Sequence, residues 1–283
     1  MITFTELGYN GRLGNQLWQY ALLKSVSLRT GKKIVLPISV FQNVWHSQKC
    51  LMGNFNLRCD FSDHVNFKYS YYETSARIYD PSVYEISDDT NFFGFFQNCR
   101  YLDGIRDELM IDFGLKIDIV EKVNQILEPF RKKYKKIVSV HFRRGDQTSP
   151  TQITEDYYGE NGEMTKECEL GKYIDAATSR FYEEETLYYV ISGGSHNGDN
   201  SDDIEWCKRN FIRKNVIYSH GIDDIVEFCL LTKVDANICA HASSFGWWGA
   251  YLNPNQEVIA PKNALITSEV EISEYYPSNW III

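Results

Sequence analysis

No stretch of this chain reaches the roughly 18 consecutive apolar residues of a membrane span. The opening residues, Met1-Ile2-Thr3-Phe4-Thr5-Glu6, lack the basic and apolar regions of a signal peptide, so the expected location is the cytoplasm. No C-x-x-C pair occurs among the seven cysteines, which are scattered and odd in number; the pattern suits a reducing compartment, with several of them as small buried hydrophobes. No N-x-S/T glycosylation site is present. Net positive charge is missing too. With 29 Lys and Arg against 38 Asp and Glu the chain carries a formal charge of −9, which argues against nucleic acid as a partner. There is no internal repeat and no low-complexity tract.

What is present suits an ordered globular chain with ample core: 283 residues, 43% hydrophobic and 24% charged. The second half alternates β and α. Strand 137–142, helix 171–185, strand 187–192, helix 203–211, strand 216–219, helix 223–232, strand 238–240, helix 246–252 and strand 257–260 imply a parallel sheet covered on both faces. In the first half, strand 2–7, helix 15–29 closed by Gly31, and strand 34–36 are readable. The stretch 38–100 is aromatic and turn-rich, and irregular structure is expected there. Helix 118–135 ends in a basic run, Arg131 to Lys136, which complements a helix C-terminus; weak peripheral membrane association is the alternative. The domain boundary is placed near 134, giving 1–134 and 135–283.

Three segments carry chemistry. Strand 137–142 runs into His141-Phe142-Arg143-Arg144-Gly145-Asp146, which delivers two guanidinium groups to the carboxyl edge of a sheet, where open α/β folds bind ligands. A guanidinium grips phosphate oxygens in a two-pronged fashion, so a diphosphate is the natural partner; an ion pair with Asp146 is the plainer reading. Gly11-Arg12-Leu13-Gly14-Asn15-Gln16 follows the first strand and opens a helix, a place where the backbone approaches a ligand closely. Ser243-Ser244-Phe245 stands between a strand and an aromatic helix. Its hydroxyls either simply cap that helix or hold a phosphate on its first amides as well.

GRLGNQLWQYA (11–21), SVHFRRGD (139–146), SDDIEWCKRNF (201–211), SSFGWWGAYL (243–252) and VIAP (258–261) together resemble the bacterial α-1,2-fucosyltransferases of glycosyltransferase family 11, in the same order and over nearly the whole chain. The resemblance implies an α/β fold of GT-B type, with two Rossmann-like halves and a parallel sheet in the C-terminal half. It implies an inverting reaction without an essential metal or other cofactor. The donor would be GDP-β-L-fucose and the acceptor the 2-hydroxyl of a galactose ending an oligosaccharide. Residues 1–134 would then serve the acceptor and 135–283 the donor.

On that resemblance Arg143 meets the diphosphate, and Arg144 does the same or braces the loop through Asp146. His141 helps hold the nucleoside. Ser243, Ser244 and Phe245 form a second phosphate contact, Gly14 belongs to the glycine loop at the donor, and Asp202 or Asp203 pairs with guanine. A helix N-cap is the plainer role for that aspartate pair. Asp146 is the candidate base, and Asn15 orients the hydroxyl or the leaving group, as a like-placed asparagine does in protein O-fucosyltransferases.

Two departures stand out. Many relatives read ANSSFSWWGA where this chain has Ala242 and Gly246, and residues 193–200 stand as an insertion between strand 187–192 and the Ser201-Asp202-Asp203 motif, expected to fold over the donor as a flexible lid. Other classes are disfavoured in different ways. A metal-dependent GT-A enzyme would carry D-x-D, which is absent. A glycosidase would leave the phosphate-type motifs idle. A non-catalytic nucleotide- or carbohydrate-binding protein would explain the 6 tryptophans and 19 tyrosines but not Arg143-Arg144. A fucosyltransferase of another linkage remains an alternative.

Overall fold

The computed structural model describes the chain apart from residues 76, 146–155, 160–161, 194–198, 256 and 264–271. It divides into two compact units, Met1–Lys116 with Glu269–Ser278, and Ile117–Ser268 with Asn279–Ile283. The division falls earlier than the expected position near 134. Helix Ile117–Arg131 accounts for the difference: it packs on elements of the second unit, and Arg131 Nη2 donates to Lys233 O at 2.7 Å. Pro129 stands in the last turn of this helix, which ends before most of the basic run.

In the first unit, strand β1 (Ile2–Thr3) is followed by helix Leu13–Thr30, which is buried at nearly every position from Leu13 to Val26. Gly31, with φ of 72°, ends the helix and donates to Ser27 O at 2.8 Å, a left-handed cap that suits glycine. Strands β2 (Val35–Pro37), β3 (Val44–Trp45), β4 (Gln48–Lys49), β5 (Asp60–Ser62), β6 (Tyr69–Tyr72) and β7 (Thr90–Phe93) follow. β7 lies between β1 and β6, parallel to both, and β2 pairs with β5. The stretch 38–100 is therefore more ordered than expected. Its strands are short, and Tyr69, Ser70 and Tyr72 are exposed, so no alternation of apolar and polar residues announces them.

Asp112 is wholly buried in this unit and accepts from Tyr20 Oη at 2.8 Å and from Lys24 Nζ at 2.9 Å; Arg58 Nε also donates to it.

The second unit is built on one six-stranded, all-parallel sheet. Its strands are β8 (Lys136–Arg143), β9 (Thr186–Gly193), β10 (Val216–Tyr218), β11 (Ala236–Ile238), β12 (Val258–Ala260) and β13 (Ile281–Ile282), in the order β10-β9-β8-β11-β12-β13. The run of β8, β9, β10 goes one way and β11, β12, β13 the other. The order thus reverses between β8 and β11, and in such sheets ligands bind outside the carboxyl ends of the two strands at the reversal.

Alternation along β8 assigns its side chains to two faces. Val138, Val140 and Phe142 enter a buried cluster with Ile174, Tyr188, Trp206 and Phe211. Ser139, His141 and Arg143 take the other face. Among the described residues, no helix is long and apolar enough to cross a membrane.

Candidate functional site

The carboxyl ends of β8 and β11 bring His141 and Arg143 together with the turn His241-Ala242-Ser243 and the helix Ser244–Tyr251 that follows it. Ser243 caps this helix through its side chain, which accepts from Gly246 N at 3.4 Å, while Ser244 and Phe245 are half-buried at its first turn. The first amides of a helix have no carbonyl partner within it and carry the positive end of its dipole, so they suit an anion.

His141 is buried with its ring 5.9 Å from Phe245. Burial, with smaller contributions from Arg143 and His241, pushes its pKa down to about 3, so the ring is neutral near pH 7. His241 is likewise held at about 3 by burial and Arg143. With both rings neutral, Arg143 brings positive charge to this face of the strand end. Its side chain is half-buried, and Nη1 donates to Gly193 O at 3.4 Å.

Both departures in the serine motif have structural consequences. A Cβ on residue 246 would come within 2.4 Å of His141 Nδ1, so glycine there allows the ring to lie against the helix. Ala242 has φ of 47°, a left-handed conformation that asparagine tolerates better than alanine.

Arg144 leaves the strand on the opposite side from Arg143. Its guanidinium carbon lies 4.0 Å from the centre of the Trp206 ring, and Nε is 3.4 Å from Asp203 Oδ1. Asp203 also accepts from Gly145 N at 3.2 Å, and burial raises its carboxyl pKa despite these donors. The two arginines therefore do different work: Arg144 and Asp203 brace the loop after β8, whereas Arg143 shares a face with His141. Asp202 is exposed in the first turn of helix Ser201–Asn210, and Asn200, not an aspartate, occupies the cap position. Asp146 and most of the 193–200 insertion lie outside the described residues.

Asn15 and Gly14 belong to the first unit. Gly14 stands inside the first turn of helix Leu13–Thr30, and the glycine that shapes the loop is Gly11, with φ of 107°. Asn15 Oδ1 accepts from Gln97 Nε2 at 2.7 Å. Gln16 Nε2 donates to Gly11 O at 3.1 Å, and Gln19 Nε2 to Asn10 O at 3.2 Å, so buried amides hold the loop from the helix side.

Over residues 2–283 the sequence matches Glycosyl transferase family 11. The chain belongs to this family. It is 25% identical to an alpha-1,2-colitosyltransferase of Escherichia coli, with 96% of each chain covered. It is 24% identical to galactoside alpha-(1,2)-fucosyltransferase 1 of Homo sapiens, over 92% of this chain and 68% of that one. Among solved structures, fucosyltransferase NodZ from Bradyrhizobium is similar at a TM-score of 0.55 and 13% identity, covering 89% of this chain and 92% of that one. NodZ alpha-1,6-fucosyltransferase co-crystallized with GDP gives a TM-score of 0.56 at 13% identity, covering 93% and 95%. That likeness is one of fold, and it bears out the expected α/β, GT-B-type architecture.

One acidic residue of this family 11 glycosyltransferase escaped the motif reading. Glu227, in helix Asp224–Leu231, is buried, accepts from Ser219 Oγ just beyond β10, and has its pKa pushed up to about 7, mainly by burial and also by Asp224. The next residue, Phe228, packs on Phe245 with ring centres 5.5 Å apart, so this helix lines the same sheet edge. Nothing in the sequence marks Glu227 as buried; a glutamate on an amphipathic helix reads as a surface residue.

Its raised pKa gives a signed expectation. The folded state holds the proton more tightly than the unfolded chain, so Glu227 favours folding fully below about pH 4.5, and that advantage is lost as pH rises through about 7. The difference is on the order of 3 kcal/mol. Glu227→Gln is expected to flatten the decline, making the variant more stable than wild type at pH 8. Denaturant titrations of both proteins from pH 4 to 8 check this; parallel stability curves would refute it.

Proposed function

We propose that the chain transfers L-fucose from GDP-β-L-fucose to the 2-hydroxyl of a terminal β-galactose, with inversion and without an essential metal ion or other cofactor. The observation that carries the reading is Arg143 at the reversal point of the sheet, beside the N-terminus of helix Ser244–Tyr251. A diphosphate leaving group gains negative charge in the transition state, and a guanidinium with helix amides stabilises it without a divalent ion.

In the proposed step the galactose hydroxyl oxygen forms a bond to C1 of fucose. The bond from C1 to the β-phosphate oxygen breaks, and GDP departs with its electron pair. The hydroxyl proton passes to a base, for which Asp146 is the candidate. Ser243, Ser244 and Phe245 supply the helix-terminus contact, and His141 lies against the nucleoside. Arg144 positions the loop. For guanine N1–H and the 2-amino group, Asp202 is the candidate carboxylate, because Asp203 is already held by Arg144 and Gly145.

In this reading the second unit, built on the six-stranded sheet, takes the donor and the first unit serves the acceptor. All seven cysteines are unpaired, which supports placing the reaction in the reducing cytoplasm. The acidic chain takes a nucleotide sugar and a glycan as partners, with no nucleic acid and at most a weak peripheral association with a membrane.

Incubation with GDP-fucose and a β-galactoside in excess EDTA tests the proposal. NMR of the product is expected to show an α-anomeric fucose proton and substitution at galactose C2. A product substituted elsewhere would establish another linkage, and binding of GDP without turnover would favour a non-catalytic protein. The alpha-1,2-colitosyltransferase relative supports one rival donor, a nucleotide sugar that carries colitose. Faster turnover of that donor would replace fucose in the proposal.

A further inference from the structure

We propose that Tyr158 is a positioning residue: its hydroxyl ties the end of β8 to the turn after β11 and so sets the gap between Arg143 and the N-terminus of helix Ser244–Tyr251. The clamp deepens the transferase reading above and rests on it for the identity of the anion. All of its parts belong to the second unit.

The sheet leaves a place for such a clamp. Along a parallel strand, successive residues turn their backbone groups to the neighbour on one side and then on the other. Ile137 O accepts from Asp235 N at 2.9 Å on the β11 side, and Phe142 O accepts from Ser192 Oγ of β9 at 3.0 Å. Arg143, which shares the phase of Ile137, therefore turns its carbonyl to the β11 side. β11 ends at Ile238, opposite Val140, so the ladder stops before Arg143. Tyr158 Oη donates to Arg143 O where a further strand amide would have stood. The same oxygen lies 3.4 Å from Nε2 of His241, in the turn that leads from β11 to the helix.

These two contacts select a tautomer. A backbone carbonyl only accepts, so the single hydroxyl proton of Tyr158 goes to Arg143 O. Toward His241 the oxygen can only accept, and the neutral ring therefore carries its proton on Nε2. Tyr157 packs on the same ring with centres 3.9 Å apart. The next residue, Ala242, holds its left-handed φ of 47°, a conformation that persists where surrounding contacts enforce it. Ser243 then caps the helix. Tyr158 is itself buried, and the Arg144 guanidinium carbon lies 5.8 Å from the centre of its ring, so the loop after β8 braces the clamp. A diphosphate held by a guanidinium on one strand and by helix amides beyond the next is sensitive to their spacing, since a shift of about 1 Å can cost about a hundredfold in rate.

Tyr158→Phe deletes one oxygen and keeps the ring. Tyr188→Phe is the matched control: Tyr188 lies in the same buried cluster, and its hydroxyl also donates to a backbone carbonyl, Thr178 O at 3.2 Å, near the amino end of β9. Each variant loses one buried hydrogen bond, so the two are expected to melt within a few degrees of each other. Tyr158→Phe is expected to bind GDP about tenfold more weakly in calorimetry and guanosine as wild type does, with kcat for transfer about a hundredfold lower, because charge on the leaving oxygen grows in the transition state. Tyr188→Phe is expected to stay within about twofold of wild type in all three measurements. In an Arg143→Ala background Tyr158→Phe is expected to add less than about threefold to the loss of GDP affinity, as residues acting through one group do. Nitrogen NMR of histidine-labelled protein is expected to show His241 protonated at Nε2.

Wild-type GDP affinity in Tyr158→Phe, equal losses in Tyr188→Phe, or a His241 proton on Nδ1 would overturn the inference. Wild-type protein that ignores GDP but binds inorganic pyrophosphate would overturn the guanosine donor alone, and the same ranking of variants is then read with pyrophosphate. Binding of neither would overturn both.

Discussion

Arg143→Ala is expected to lower transfer by at least about a hundredfold while the protein melts close to the wild-type temperature, because it removes the positive charge proposed to meet the leaving diphosphate. Calorimetry with GDP is expected to show a matching loss of affinity, since the product carries the same diphosphate. Arg144→Ala is the informative contrast. Its guanidinium lies on Trp206 and beside the largely buried Asp203, so truncation leaves a buried carboxylate without its cation. Breaking such a pair costs about 3 kcal/mol of stability, and GDP affinity is expected to suffer only as far as the loop loosens. Thermal melts, GDP titrations and initial rates on both variants decide the matter. Wild-type GDP affinity in Arg143→Ala, or indistinguishable behaviour of the two, would remove the basis for assigning Arg143 to the phosphates.

The second large effect concerns folding. Asp112 is inaccessible to water and bonds Tyr20, Lys24 and Arg58, with the Lys24 side chain only 9% exposed. Asp112→Ala leaves that ammonium with only Glu108, 4.0 Å away, as a counter-charge, at a cost of about 3 kcal/mol. Since a domain is stable by about 5–15 kcal/mol, the single variant is expected to lose a large share of its stability and to unfold at a clearly lower urea concentration. Replacing both charges, Asp112→Leu with Lys24→Met, is expected to recover much of the loss, because two well-packed apolar groups need no counter-charge. Urea unfolding of wild type, single and double variants measures each value. A single variant within about 1 kcal/mol of wild type would show that the cluster contributes little.

The second unit was the readable half of this chain. Its strands are continuous apolar runs because helices cover both faces, and each expected strand is present within about two residues. The largest displacement is at β11, expected at 238–240 and found at Ala236–Ile238. Asn237 explains it: a polar residue reads as a break, yet its Nδ2 is satisfied inside by Ser139 Oγ at 2.8 Å and Leu231 O at 2.9 Å. Helix 171–185 shortens to Glu169–Thr178, followed by a separate tight turn at Glu183–Glu185.

The motifs located Arg143 and Ser243 at the sheet edge, but not the division of labour between adjacent residues. That division follows from strand alternation, which sends Arg143 and Arg144 to opposite faces and makes Asp203 a partner of one of them. Glu227 was illegible for a different reason. Its significance comes from burial and from a bond to Ser219 just beyond β10, and neither leaves a pattern in the sequence.

The route of the chain matters for recombining this protein with its relatives. The backbone leaves the first unit at Lys116, returns to it for Glu269–Ser278, and ends in the second unit, where β13 pairs with β12 and Trp280 lies 5.3 Å from Trp247 between ring centres. Within the first unit the returning segment is tied down by Asn98 Nδ2 donating to Glu274 Oε2 at 3.0 Å and Cys99 Sγ donating to Tyr275 O at 3.0 Å. A chimera made with a single crossover would separate either Glu274 from Asn98 or β13 from β12. Exchange of one unit for a relative's version therefore requires three junctions, near 116, 268 and 278, so that the last five residues travel with the sheet they complete.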